Sequence, residues 1–107
     1  MPPFEVRLDC AAFVEDLRRF AKRDASLKPA VIKKLDHVAR NPVELGRRLQ
    51  MHPHCFKVRV GSDFRLVYLL RDFDVVPLML YAKNEHSDVV LRDLLHAIEL
   101  VTRRAKG

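Results

Sequence analysis

Three short runs of alternating side chains, separated by loops of three and four residues, constrain this chain more than any other feature. The runs are 55–60, 64–70 and 75–82, and the loops are Gly61-Ser62-Asp63 and Arg71-Asp72-Phe73-Asp74. Loops this short, rich in Gly, Ser and Asp, join neighbouring antiparallel strands. The spacing therefore predicts a three-stranded meander. Pro77 falls inside the third run and cannot donate to a ladder, so it predicts an edge, a bulge or a strand start.

The remainder of the chain supplies one more strand and three helices. Residues 4–8 alternate apolar and polar, which fits a short half-buried strand. Asp9 follows as an expected N-cap. Phe13, Val14, Leu17, Phe20 and Ala21 then recur at helical spacing. Ser26 is the expected cap of a second helix, with Pro29 in its first turn and Asn41-Pro42 as its stop. Val31, Ile32, Leu35, Val38 and Ala39 form its apolar stripe. The stretch 43–53 is irregular, with Leu45 and Leu49 as anchors. A last helix is predicted over 88–104 from Val89, Leu94, Leu95, Ile98 and Val101. The expected order is β-α-α-β-β-β-α, an α+β domain whose antiparallel sheet carries its helices on one face.

The 107 residues suffice for one domain, 1–107, with one modest core. Twenty Lys and Arg face 14 Asp and Glu, a formal net charge of +6, which points to a polyanionic partner or to a merely solvated basic surface. Cys10 and Cys55 are the only cysteines, so there is no disulfide framework and no paired-cysteine zinc motif. They read as reduced, buried thiols. Without an apolar leader or a membrane-length apolar run, the expectation is a cytoplasmic domain needing no cofactor or metal.

The charge gathers on the meander. Alternation sends Lys57 and Arg59 to one face of their strand and Phe56, Val58 and Val60 to the other. Closing the hairpin at Gly61-Ser62-Asp63 brings Arg65 to the face of Lys57 and Arg59, provided the register does not slip by one. Crowded cations favour a bound anion, and Arg and Lys on rigid strands suit phosphate. The competing reading is an edge guarded by charge against aggregation.

The stretches CFKVRVGSDFRLVY and VVPLMLYAKNEHSDV together resemble the RelE-like toxins of the RelE/ParE toxin–antitoxin superfamily. The resemblance covers most of the chain and is strongest over 49–89. It implies a type II toxin that cleaves messenger RNA on the ribosome without metal. The 2′-hydroxyl attacks the adjacent phosphate, leaving a 2′,3′-cyclic phosphate and a 5′-hydroxyl.

On that resemblance Lys57 and Arg59 match the family's basic strand pair, one of which deprotonates or orients the 2′-hydroxyl. A guanidinium keeps its proton, so Arg59 has the electrostatic role. Arg65 matches the family's arginine on the scissile phosphate. The family's further arginine and tyrosine fall on Asn84 and Val90, which offer neither charge nor ring. Lys83, His86 and Tyr81 stand nearby as substitutes, His86 as general acid because an imidazole titrates near neutrality. Arg47, Arg48, His52, His54 and Tyr81 complete the expected RNA contacts. The implied partners are a cognate acidic antitoxin, the ribosome and mRNA, with no membrane. A ParE-like gyrase inhibitor and a non-catalytic RNA- or antitoxin-binding relative share the fold and remain as alternatives.

Overall fold

The computed structural model describes residues 4–50, 52–85 and 87–106, and within the last of these the side chains of 90–102. Strand β1 (Glu5–Val6) leads into helices α1 (Ala11–Ala21) and α2 (Leu27–Arg40). Strands β2 (Arg47–Leu49), β3 (His52–Val60), β4 (Phe64–Arg71) and β5 (Asp74–Ala82) follow, and helix α3 (Ser87–Lys106) ends the described chain. The sheet order is β1-β5-β4-β3-β2. The α+β class and the expected meander are both present, with an added strand.

The three central strands pair antiparallel, as their loops require, with Gly61 at φ 62° in the first turn. Only glycine adopts that backbone conformation without a steric penalty. The ladder between β4 and β5 shifts register between Val67 and Tyr68, so that Tyr68 faces Pro77. Pro77 thus sits at a bulge, one of its three expected settings.

Several expectations are corrected. The sheet is mixed, because β1 pairs parallel to β5. The irregular stretch contains β2, and the first meander strand begins at His52 rather than at 55. The helices also do not share one face. Phe20 of α1 meets Phe64 at 5.0 Å between ring centroids, on the face that carries Phe56 and Tyr68. Leu94 of α3 instead lines a recess with Lys57, Val67 and Tyr81, which point the other way. The sheet therefore lies between α1 and α2 on one side and α3 on the other. Its core includes Phe13, Val31, Val38, Phe56, Leu66, Tyr68, Leu80 and Leu94, all nearly inaccessible.

The helix caps differ as well. Cys10, not Asp9, holds the N-cap position of α1, and Asp9 accepts a hydrogen bond from Arg71 at 2.8 Å. Ser26 precedes α2 as expected, but its hydroxyl donates to Asp24 at 2.6 Å instead of capping the helix. Val14, Ile32 and Leu95 lie at the margins of their apolar stripes and are exposed. Among the described residues no helix is long and apolar enough to cross a membrane.

Candidate functional site

The register across the meander fixes where the cations go. Arg59 of β3 stands directly opposite Arg65 of β4, and Arg65 stands opposite Tyr81 of β5. Directly opposed residues share a face, so Tyr81, Arg65 and Arg59 form one row across three strands. The next row along reads Met79, Val67, Lys57 and Arg47 across four. Two positions along a strand separate the rows by about 7 Å. Lys57, Arg59 and Arg65 are therefore together, as the alternation predicted.

These side chains line a groove of about 450 Å³ with Lys34, Arg47, Leu45 and Val58. Five of the seven lining residues are cationic and none is acidic. Four arginines elsewhere do have carboxylate partners: Arg18 with Glu15, Arg19 with Asp16, Arg40 with Asp36 and Arg71 with Asp9. Among the described residues none of the five groove cations has a carboxylate partner. The fold thus places charge here without neutralising it, which raises the local affinity for an anion.

Arg65 is the most constrained of the set. It is half-buried, and its guanidinium donates to the Phe64 carbonyl at 2.8 Å, which holds the fork against its own strand. Burial pushes the phenol of the neighbouring Tyr81 above its ordinary pKa; the Arg65 charge opposes that rise and Glu85 adds to it. Tyr81 therefore stays a neutral hydroxyl, able to donate or accept, at neutral pH.

A second recess of about 270 Å³ opens beside Lys57. Tyr81, Lys83, Glu85, Val90 and Leu91 are among its lining residues. Lys83 is exposed in the turn after β5, where its backbone N–H donates to Asp63 at 2.9 Å. Asn84 is exposed in the same turn, while Val90 packs against the core. His86 lies outside the described residues.

The remaining expected contacts are elsewhere. His52, His54 and Arg48 line a groove of about 620 Å³ with Phe4, Arg71 and Val101. The His54 backbone N–H donates to His52 Nδ1 at 3.2 Å, and Arg48 lies over the Phe56 ring at 5.4 Å. Five residues of extended strand separate His54 from Arg59, roughly 17 Å. The histidines belong to the opposite end of β3 and do not meet the cation cluster. Lys34 is the residue that sequence reasoning missed. It sits on α2, 23 positions before Lys57, and only the packing of α2 beside β3 brings it to the groove.

No family model and no curated protein matches the sequence. Solved structures do. The chain superposes on the RelBE2 toxin–antitoxin complex from Mycobacterium tuberculosis with a TM-score of 0.63 and 26% identity, covering 79% of this chain and 97% of that one. It superposes on an arginine-substituted E. coli toxin RelE in complex with an antitoxin RelBc peptide with a TM-score of 0.62 and 26% identity. That match covers 84% of this chain and 93% of the other.

Proposed function

Because this chain has the RelE-like toxin fold, we propose that it is the toxin of a type II toxin–antitoxin pair and acts as a ribosome-dependent mRNA endonuclease. One observation carries this reading: a groove holds five cations, four on strands and one on α2, none with a carboxylate partner among the described residues. Both structural neighbours are complexes with antitoxins, and an acidic antitoxin is the partner proposed here.

The reaction needs no metal in this reading. The 2′-hydroxyl gives up its proton to solvent, and its oxygen forms a bond to the adjacent phosphorus as the bond from phosphorus to the 5′-oxygen breaks. Charge builds on the non-bridging oxygens, and Arg65 and Arg59 face each other in register to stabilise it. Lys57, one row along, orients the 2′-hydroxyl. Tyr81 and Lys83 flank this centre and supply hydrogen bonds to the leaving side. His86 is the imidazole that the sequence offers for protonating the 5′-oxygen. The products are a 2′,3′-cyclic phosphate and a 5′-hydroxyl.

The exposed Asn84 and the inward-packed Val90 are the observations that favour a gyrase inhibitor, which needs no acid–base set. Induced expression with mapping of transcript ends separates the two. The nuclease reading expects growth arrest with codon-phased breaks at translated sites. Arg65→Ala is expected to stay folded and to lose about 10²–10³ in cleavage rate, the usual cost of one charge-stabilising group. If Arg65→Ala arrests growth as well as the parent, the role of Arg65 is wrong. Intact transcripts with double-strand DNA breaks support the gyrase reading instead.

A further inference from the structure

The groove reaches beyond the row that holds the scissile phosphate. Strand β2 ends its pairing with β3 at Arg47 opposite Lys57, so positions 58–60 of β3 have no strand paired to them on that side among the described residues. Past this open edge the groove turns from the face of Lys57 and Arg59 toward the opposite layer, where Lys34 projects from α2. Lys34 is half-buried, whereas the adjacent Lys33 is exposed. A partly packed lysine stem has lost some of its rotamer freedom before any ligand arrives, so its amine binds an anion at lower entropic cost.

We propose that Lys34 and Arg47 grip the backbone phosphate next to the scissile one, and that a single RNA strand passes round the open edge of β3. This inference rests on the nuclease reading above and names how its substrate lies. The turn itself selects for a single strand. The whole molecule measures 35 × 34 × 25 Å, and a duplex stays straight over about 500 Å. A duplex therefore cannot follow a bend from one sheet face to the helix layer behind it, while a single strand can. Leu45 and Val58 give the passing sugar and base an apolar floor between the cations. Lys34 is in this sense a positioning residue: it acts on the strand, not on the reacting atoms.

The test is the salt dependence of binding between the purified protein and a fluorescent oligouridylate, with KCl varied around physiological ionic strength. Each phosphate contact on a single strand adds about 0.7 to the slope of log affinity against log salt. Lys34→Gln is expected to lower the slope by about 0.7, and Lys34→Arg to restore it. Lys33→Gln is expected to leave the slope at the parental value, although it removes the same net charge. Parental slope in Lys34→Gln overturns the inference, as does an equal loss in Lys33→Gln. In either case a parent that binds the oligonucleotide in a salt-dependent way leaves the nuclease reading standing. A parent that does not bind it overturns the inference, while the nuclease reading stands or falls on the mapped transcript ends. Loss of oligoglutamate binding in Lys34→Gln, with oligouridylate binding intact, reassigns the groove to an acidic protein and also overturns the inference.

Discussion

Gly46 shows how a single residue positions the basic groove. Its backbone conformation is ordinary, so the demand for glycine comes from space. A Cβ there would overlap the Tyr68 hydroxyl and press on Phe56. That hydroxyl donates to the Pro42 carbonyl at 2.6 Å, and the Tyr68 ring stacks on Phe56 at 5.6 Å between centroids. The segment after α2 is thereby strapped down on the sheet, and the strap delivers Arg47 to its place opposite Lys57. Gly46→Ala is expected to cost about 1–3 kcal/mol, the usual penalty for overpacking a filled site. Chemical denaturation measures it; a midpoint equal to the parent's would mean the ring yields freely. The same variant should weaken oligouridylate binding, because Arg47 shifts with the strap.

At the scale of elements, the edge of β5 is the least expected feature. Strand β1 covers that edge only at Asp74 and Val75. Further along, α1 takes over with side chains: the Asp16 carboxylate accepts from the Leu80 N–H at 3.2 Å, and the Cys10 thiol donates to the Leu78 carbonyl at 3.4 Å. A helix thus satisfies strand groups that would otherwise invite another chain. Burial raises the Asp16 pKa above the usual carboxylate value; the Leu80 bond and Arg19 oppose the rise, and Glu85 and Asp93 add to it. A raised pKa contributes stability that is full below the ordinary carboxylate value and is lost as pH rises through the folded value. Asp16→Asn keeps an acceptor for Leu80 and should flatten that dependence over the range from the ordinary carboxylate value upward. Asp16→Ala leaves the N–H without a partner and should cost about 1–3 kcal/mol. Urea midpoints across that range distinguish the two; parallel curves for parent and Asp16→Asn would remove Asp16 as the source.

Much of this scale was legible in advance, and the exceptions have physical reasons. The meander could be read because its loops are short and its runs alternate. The rows of Arg59, Arg65 and Lys57 followed from alternation once the turn at Gly61 set the register. Strand β2 could not be read, since Arg47-Arg48-Leu49 has no alternation and becomes a strand only by pairing with β3. Pro53 concealed the start of β3, because a proline argues against a strand wherever its partner is unknown. Lys34 had no local mark at all among the cations of α2.

For the whole molecule, the decisive arrangement is a sheet covered on both faces, with a groove between α2 and β3 whose cations have no carboxylate partner among the described residues. Two titratable groups lie inside the two buried faces. Cys55 shares the α3-side face with Leu69, and Tyr68 shares the other with Phe56. Burial raises the Cys55 thiol from 9.0 to about 12. It raises the Tyr68 phenol from 10.0 to about 12, opposed in part by the Gly46 backbone. Both are neutral when folded and would ionise on unfolding, so the unfolded chain binds fewer protons above pH 9 and stability falls as pH rises. The loss begins near pH 9 with Cys55, steepens near pH 10 with Tyr68 and is complete as both approach their folded values. Together the shifts amount to on the order of 7 kcal/mol, comparable with the whole stability of a small domain. The parent is therefore expected to unfold cooperatively before pH 12, with both layers lost in one transition. Following circular dichroism against pH, Tyr68→Phe should remove the part of the slope that starts near pH 10. It also gives up the bond to Pro42, about 1 kcal/mol, at every pH. Cys55→Ala should remove the part that starts near pH 9. An alkaline transition whose midpoint and slope are unchanged in both variants would show that neither buried group governs it.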